Sequence, residues 1–357
     1  MTNILASSQI DLNRVKGLLD KGRPPVYRKA YSDRTAWLMA CLSELAYIRF
    51  NPIFSHDQHK KHLLDNLSKL IDENKQSSLI KLIASVGYDH NEEKEKLKNE
   101  LTTLKIRLLE TFDKNGTQAI LAENDEFIVL SFRGTEATCM KDIKADANAE
   151  AMQCETGGKI HTGFKNAFDE VALDIQNTLN KEALKAKPLF ITGHSLGGAL
   201  ATVAAKKLSH KGGIAACYTF GSPRVGDEEW IADIKTPIYR LVNAADCVTM
   251  LPLGTELMTI LSWICQFIPS VGEAISSKVL KLSGYIHGGN MRYLTNCSSG
   301  QYDGVRLLYS VGFLYRIKGW VIKKLPWKKF LADHSISIYR KKLMIVAENR
   351  NQNDNTN

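Results

Sequence analysis

The chain has 357 residues, of which 44% are hydrophobic and 24% charged, and this balance excludes a disordered or collagen-like protein. The net charge of +9 favours anionic partners, such as acidic lipid surfaces or nucleic acid, without choosing between them. Seven irregularly spaced cysteines argue against a disulfide framework and against a zinc ribbon, so we expect reduced thiols. A membrane-spanning helix is not predicted, because no apolar run reaches about 18 residues.

The N-terminal part of the chain is predicted to be helical. Residues 1 to about 26 are polar and resemble a leader. Apolar residues then recur at helical spacing over Ser32–Phe50, after a serine suited to capping a helix. Similar patterns cover His56–Ser85 and begin again at Asn91–Asn99. We therefore assign residues 1–104 to a helical N-terminal region.

Short extended segments follow, and after them helices and strands alternate. Turn sequences separate three predicted strands, at Ile106–Phe112, Thr117–Ala122 and Phe127–Phe132. Alternation then indicates a largely parallel sheet with helices on both faces. The predicted helices are Gly163–Leu184, Gly198–Ser209 and Asp227–Asp233, and the predicted strands are Pro188–Thr192, Ile214–Phe220 and Ile238–Asn243.

The pentapeptide Gly193-His194-Ser195-Leu196-Gly197 has the form G-x-S-x-G and lies between a predicted strand and a predicted helix. This context is typical of a nucleophile elbow, a sharp turn that exposes the serine hydroxyl. Glycine on each side leaves room for so tight a turn. We predict that Ser195 is a nucleophile and that the N–H of Leu196 stabilises an oxyanion, the alternative being a structural turn.

A serine nucleophile needs an imidazole base and a carboxylate that orients the base. In α/β-hydrolases the chain order is serine, acid, histidine. Asp246 follows a predicted strand and lies on the same rim as the elbow, so we predict that it is the acid. Of the histidines after the serine, His210 directly follows the elbow helix and is predicted to be a surface residue. Chain order alone leaves His287 and His334 as equal candidates for the base.

Several segments resemble, in the same order, the motifs of the class 3 lipases, the family of fungal triacylglycerol lipases and their bacterial and plant relatives. The resemblance extends over about Thr117–Pro252 and implies an α/β-hydrolase fold with a mostly parallel sheet flanked by helices. The segments are Ser131–Thr135, His161–Phe164, Gly193–Ala199, Tyr218–Gly226 and Val242–Pro252.

The resemblance also implies roles for single residues. Ser195 corresponds to the family's nucleophile and Asp246 to its acid, and Thr135 corresponds to the second oxyanion donor. The family's base is followed shortly by an aromatic residue, which favours His334 with Tyr339 over His287. A lid is implied over 136–149. Because the apolar face of this segment is weak, the sequence does not decide between a moving lid and a static loop.

A long stretch separates the predicted acid from the predicted base. We expect a helical insertion at 253–330 within a hydrolase domain at 105–348, followed by a disordered tail at 349–357. Apolar residues at 257–268 and mixed tryptophans and lysines at 305–330 suit a peripheral contact with anionic membranes, the alternative being cap helices packed on the core.

The predicted function is a serine hydrolase that cleaves carboxylic esters of lipids, either a phospholipase A or a lipase. The basic charge favours phospholipid, and the mechanism needs no metal or other cofactor. Two alternatives stay open, a lipid-binding protein without turnover and a short-chain esterase or thioesterase. No nucleic-acid partner is expected.

The N-terminus predicts where the protein acts. Met1–Leu19 lacks the apolar core of a secretory signal. We therefore predict a cytoplasmic or peripheral membrane location, the alternative being an effector exported by a specialised secretion system.

Overall fold

A computed structural model of the chain describes residues 3–20, 30–49, 65, 67–69, 71–72, 89–134, 151–155, 157–244, 246–252, 284–298, 300–312, 315–316 and 332–354. Ten strands and seven helices are used below to locate the site. The strands are β1 Arg107–Lys114, β2 Thr117–Glu123, β3 Ile128–Phe132, β4 Ala151–Gln153, β5 Lys159–His161, β6 Leu189–His194, β7 Ile214–Phe220, β8 Ile238–Asn243, β9 Asn290–Leu294 and β10 Leu307–Leu308. The helices are α1 Gln9–Asp20, α2 Asp33–Leu45, α3 His90–Thr103, α4 Thr162–Leu179, α5 Leu196–Lys207, α6 Glu228–Ala232 and α7 Ile336–Asp354.

Eight of these strands form one sheet in the order β1-β2-β3-β6-β7-β8-β9-β10. The five strands from β3 to β9 run parallel to their neighbours, whereas β1, β2 and β10 are antiparallel additions at the two edges. Strands β3, β6, β7 and β8 are almost entirely buried, which explains their continuous apolar sequences. The mostly parallel central sheet confirms the predicted α/β-hydrolase architecture.

Two hydrophobic cores cover the two faces of the sheet. Consecutive strand residues point to opposite faces, so Phe190 belongs to one core and Ile191 to the other. Helices α4 and α5 cover one face, and α1, α2, α3 and α7 contribute to the core on the other. The described helices of the predicted N-terminal region 1–104, namely α1, α2 and α3, therefore share a core with the sheet.

The polar leader predicted for residues 1–26 contains a helix, since α1 lies within it. Val15 and Leu18 are buried in the first core, and two apolar residues one helical turn apart are enough to dock an otherwise polar helix. At the other end, α7 continues to Asp354 and enters the range 349–357 for which a disordered tail is predicted.

The predicted helical insertion at 253–330 also contains sheet. Strands β9 and β10 lie inside it and extend the central sheet beyond β8. The segment 257–268 and most of 305–330 lie outside the described residues, as does most of the helix predicted at His56–Ser85. In the part of the chain that the structure describes, no helix is long and apolar enough to cross a bilayer.

Candidate active site

Ser195 occupies the turn between β6 and α5, with φ 57° and ψ −127°. A positive φ is rare for a residue other than glycine and is typical of a nucleophile elbow. A Cβ on Gly193 would collide with the backbone of Gly197, and a Cβ on Gly197 would collide with the carbonyl of Phe132. The glycines of the pentapeptide are therefore required by space, as the sequence predicts.

Three side chains form a continuous chain of hydrogen bonds at this turn. The hydroxyl of Ser195 lies 2.9 Å from Nε2 of His334, and Nδ1 of His334 lies 3.0 Å from both carboxylate oxygens of Asp246. Because a carboxylate only accepts, Nδ1 carries the proton, and the lone pair of Nε2 is left to accept from Ser195. The structure thus brings together the three residues predicted as nucleophile, base and acid, all of them buried.

Two further donors hold the Asp246 carboxylate in place. The hydroxyl of Tyr339 donates to Oδ2 at 2.6 Å, and the N–H of Val248 donates to Oδ1 at 3.0 Å. Burial and the negative charge of Asp246 raise the pKa of Tyr339 well above its ordinary value, so the phenol keeps its proton and donates. The same hydroxyl accepts from the N–H of Asn243 at 3.0 Å. Sequence reasoning singled out Tyr339 only as an aromatic residue after the base.

We expect Tyr339→Phe to lower kcat about tenfold with little change in KM, because the carboxylate loses one of its orienting donors. Kinetics on a soluble short-chain ester, with a thermal melt of each variant, measure this effect. Tyr285→Phe is the matched control, since Tyr285 is buried and its hydroxyl has no hydrogen-bond partner among the described residues. Equal kcat values for Tyr339→Phe and the wild type would show that this donor does not orient Asp246.

Gly221 explains why one of the lipase-like motifs contains a glycine at this point. Its φ is +57°, and a Cβ here would lie 2.6 Å from Oδ2 of Asp246 and 2.9 Å from Nδ1 of His334. The residue therefore leaves room for the hydrogen bond between acid and base, in a backbone conformation that favours glycine.

The end of β8 also holds the segment that carries the base. The side-chain amide of Asn243 donates to the carbonyl of Asp333 at 2.8 Å. Its oxygen accepts from the ammonium of Lys342 at 2.6 Å, which assigns the two ends of the amide. Asn243 precedes Asp246 on the same rim, so acid and base are positioned by one strand end.

The predicted oxyanion residues are described only in part. Leu196 is the first residue of α5, where an N–H has no acceptor within the helix. Thr135 and the predicted lid at 136–149 lie outside the described residues. Gly134, just before Thr135, lies close to the nucleophile, because a Cβ on it would be 3.3 Å from the Cβ of Ser195. The roles of Thr135 and Leu196 stay predictions.

His287 lies apart from the hydrogen-bonded triad. Its Nε2 is 2.5 Å from the carbonyl of Thr249 and donates to it. The ring lines a small cavity of about 10 Å³, together with Arg240 and Ser222. Of the two histidines that chain order left open, the structure places His334 and not His287 against the serine.

Arg316 belongs to the predicted membrane segment 305–330 but faces the interior. The side chain is 7% exposed, and its guanidinium donates to the carbonyl of Asp246 at 3.3 Å and to the hydroxyl of Thr249. It therefore supports the turn that carries the acid and is not available to a surface.

His194 and His287 make the folded state sensitive to acid. Burial lowers the pKa of both well below the ordinary value, with further contributions from His334 and from Arg240 and Arg224 respectively. Between these lowered values and about pH 6.5 the unfolded chain binds protons that the folded chain does not, so stability is lost as the pH falls.

We expect the free energy of unfolding to fall by between about 1.4 and about 2.7 kcal/mol per pH unit below about pH 6.5, as one or both histidines contribute. Chemical denaturation at several pH values between about 5 and 7 measures this slope. His287→Asn should reduce this slope. A free energy of unfolding that does not change with pH across this range would contradict the assignment of His194 and His287 as neutral in the folded state.

Comparison with known proteins identifies the relatives of this chain. The family model described as lipase (class 3) matches residues 129–256. A secreted mono- and diacylglycerol lipase of Fusarium solani is 36% identical over 149 residues, covering 39% of this chain and 44% of that protein. A secreted mono- and diacylglycerol lipase of Malassezia globosa, MDL5, is 28% identical over 157 residues, covering 39% of this chain and 50% of that protein. The chain thus spans half or less of the length of these curated relatives.

Among solved structures, a lipase from Rhizopus microsporus var. chinensis aligns with a TM-score of 0.48 at 18% identity, over 88% of this chain and 92% of that one. The fold is shown by the strand order of the sheet and by the elbow.

The names of the relatives contradict the predicted location. Both curated relatives are named as secreted enzymes, which conflicts with a cytoplasmic or peripheral membrane placement. That placement was inferred from the polar composition of Met1–Leu19 alone. Much of this segment forms α1, a mostly polar helix docked through Val15 and Leu18.

The matched range contains the residues on which the resemblance depends. Ser195 and Asp246 lie inside 129–256, together with the five motif segments. His334 and Tyr339 lie outside it and reach the same site through the fold. By these motifs, the elbow and the matched segment, the chain is similar to the class 3 lipase family over residues 129–256.

Proposed function

We propose that this chain is a serine hydrolase that cleaves carboxylic ester bonds of lipids. The observation that carries the proposal is the uninterrupted set of hydrogen bonds from Ser195 through His334 to Asp246 at a strand–helix elbow. This geometry supplies an activated alcohol, a base with a defined tautomer, and a carboxylate that stabilises the protonated base.

The first half of the reaction forms an acyl-enzyme. The oxygen of Ser195 attacks the ester carbonyl while Nε2 of His334 takes its proton. Nδ1–H remains bonded to Asp246, whose negative charge stabilises the imidazolium. The tetrahedral intermediate collapses as His334 gives the proton to the leaving alcohol, and the C–O bond of the ester breaks.

The second half returns the enzyme to its starting state. Water attacks the acyl group on Ser195 while His334 takes a proton from it, and the fatty acid leaves as the serine hydroxyl is restored. The N–H of Leu196 and that of Thr135 are the proposed oxyanion donors in both halves, each worth roughly 100- to 1000-fold in rate.

Acylglycerols are the substrate class that we propose first. Both curated relatives described above are named mono- and diacylglycerol lipases. Phospholipid is the second candidate, favoured by the net charge of +9, since a basic protein is attracted to anionic lipid surfaces. The buried position of Arg316 removes one basic residue from the argument for phospholipid.

The experiment compares purified wild type with Ser195→Ala on three substrates. These are emulsions of mono-, di- and trioleoylglycerol, vesicles containing phosphatidylglycerol, and a soluble butyrate ester, with released products identified by mass spectrometry. Fatty acid released from acylglycerols by the wild type alone supports the proposal. Turnover of the soluble ester alone indicates a short-chain esterase, and no turnover of any ester indicates a lipid-binding protein.

A further inference from the structure

A histidine and a tyrosine connect the N-terminal helices to the backbone of the proposed base. His194, the last residue of β6, is buried, and its Nε2 lies 2.5 Å from the carbonyl oxygen of His334. Its Nδ1 lies 2.8 Å from the hydroxyl of Tyr47, which follows the end of α2. The rings of His194 and His334 are 4.5 Å apart between centroids.

The two partners determine where the protons of His194 lie. A backbone carbonyl only accepts, so Nε2 carries the hydrogen and donates it to His334. In a neutral ring Nδ1 then has a lone pair, which accepts from the hydroxyl of Tyr47. Both ring nitrogens are satisfied in a single arrangement, in which the carbonyl of His334 fixes the tautomer and Tyr47 donates to the remaining lone pair.

The neutral state of His194 suits its place beside the base. Burial, and then the adjacent His334, lower the pKa of His194 well below the ordinary value for histidine. In the proposed reaction His334 becomes positively charged whenever it takes the proton of Ser195. A neutral neighbour avoids placing two like charges side by side and keeps the N–H that holds the carbonyl of His334.

The helix that precedes Tyr47 is held against the strand that carries His194. Helix α2 packs on β6 and on β3. The hydroxyl of Ser131 on β3 donates to the carbonyl of Leu42 on α2 at 3.1 Å. The position of the Tyr47 hydroxyl relative to the elbow is therefore set by a docked helix.

We propose that Tyr47 and His194 are positioning residues for His334, with Tyr47 orienting His194 and His194 anchoring the backbone of the base. The proposal rests on the proposed ester hydrolysis and adds to it a part of the chain outside residues 129–256. The N-terminal helix α2 then belongs to the framework of the active site.

Tyr47→Phe tests the proposal in full-length protein. We expect kcat on a soluble short-chain ester to fall about tenfold, with KM changed less than about twofold, because the base is displaced while the substrate site is intact. Ser43→Ala is the matched control, since it removes a buried hydrogen bond between the same helix and β6 without touching His194. It should keep kcat within about twofold of the wild type. An equal loss in both variants, or no loss in Tyr47→Phe, overturns the proposal.

NMR of protein labelled with nitrogen-15 in its histidine rings tests the same contacts without measuring activity. In the wild type at about pH 7, we expect a neutral His194 with its hydrogen on Nε2 and a low-field proton signal from Nδ1–H of His334. Tyr47→Phe should shift or broaden both signals, whereas Ser43→Ala should leave them in place. A His194 protonated on Nδ1, or signals unchanged by Tyr47→Phe, overturns the positioning role. If the wild type hydrolyses no ester but shows these NMR signals as expected, only the proposed hydrolysis is overturned.

A second pair of variants covers the case in which Tyr47→Phe does not fold. His194→Gln keeps an N–H donor near the carbonyl of His334, and His194→Leu removes it. We expect the Gln variant to retain at least about tenfold more kcat than the Leu variant. Equal activities of the two would show that the donor to the carbonyl has no positioning role.

Discussion

Ser195→Ala is expected to lower kcat for ester hydrolysis by about 10⁴- to 10⁶-fold while leaving the fold intact. The hydroxyl of Ser195 is the group hydrogen-bonded to Nε2 of His334, so its removal leaves the base with no nucleophile to activate. The residual rate reflects binding and oxyanion stabilisation alone. Initial rates at saturating substrate, together with a thermal melt, measure the effect.

The matched control for this variant is Ser222→Ala. Ser222 is buried beside the elbow helix and donates its hydroxyl to the carbonyl of Pro223, away from His334. We expect it to keep most of the wild-type activity. Comparable losses in the two variants would mean that buried serine hydroxyls near the elbow support folding and that Ser195 has no special role.

His334→Ala is expected to cost nearly as much as the loss of the serine, because base and nucleophile act as one unit. His287→Asn should retain most of the activity, since its Nε2 is bonded to the carbonyl of Thr249 and not to a reacting group. Both variants are assayed on the same soluble ester, with melts to separate lost activity from lost fold. A severe loss in His287→Asn with an active His334→Ala would reverse the assignment of the base.

The sequence predicts the central strands better than the edges of the fold. The limits predicted for Ile214–Phe220 and Ile238–Asn243 agree with β7 and β8, because both strands are buried on two faces and follow glycine or proline. Strand β9 was missed, since Asn290–Leu294 is short, polar at its start and only half buried. Helix α1 was missed because its two buried side chains are outnumbered by polar ones.

In the site, too, residues in local sequence motifs were predictable, whereas residues brought in from distant parts of the chain were not. Ser195 and Asp246 were predictable from local patterns, a glycine-flanked turn and a carboxylate after a strand. His334 lies 88 residues beyond Asp246, so chain order could not separate it from His287, and only the family resemblance did. Tyr47 lies 147 residues from His194, and no pattern along the sequence predicts a contact that depends on the docking of α2.

Labelling of the active serine tests the central claim most directly. A fluorophosphonate reacts covalently with a serine that a neighbouring histidine activates, and peptide mass spectrometry identifies the modified residue. In the wild type we predict near-stoichiometric modification of Ser195. Labelling should be slow in His334→Ala, and in Ser195→Ala the peptide that contains position 195 should carry no label. A folded wild type in which Ser195 stays unmodified, or in which another residue carries the label, would contradict the assignment of this chain as a serine hydrolase.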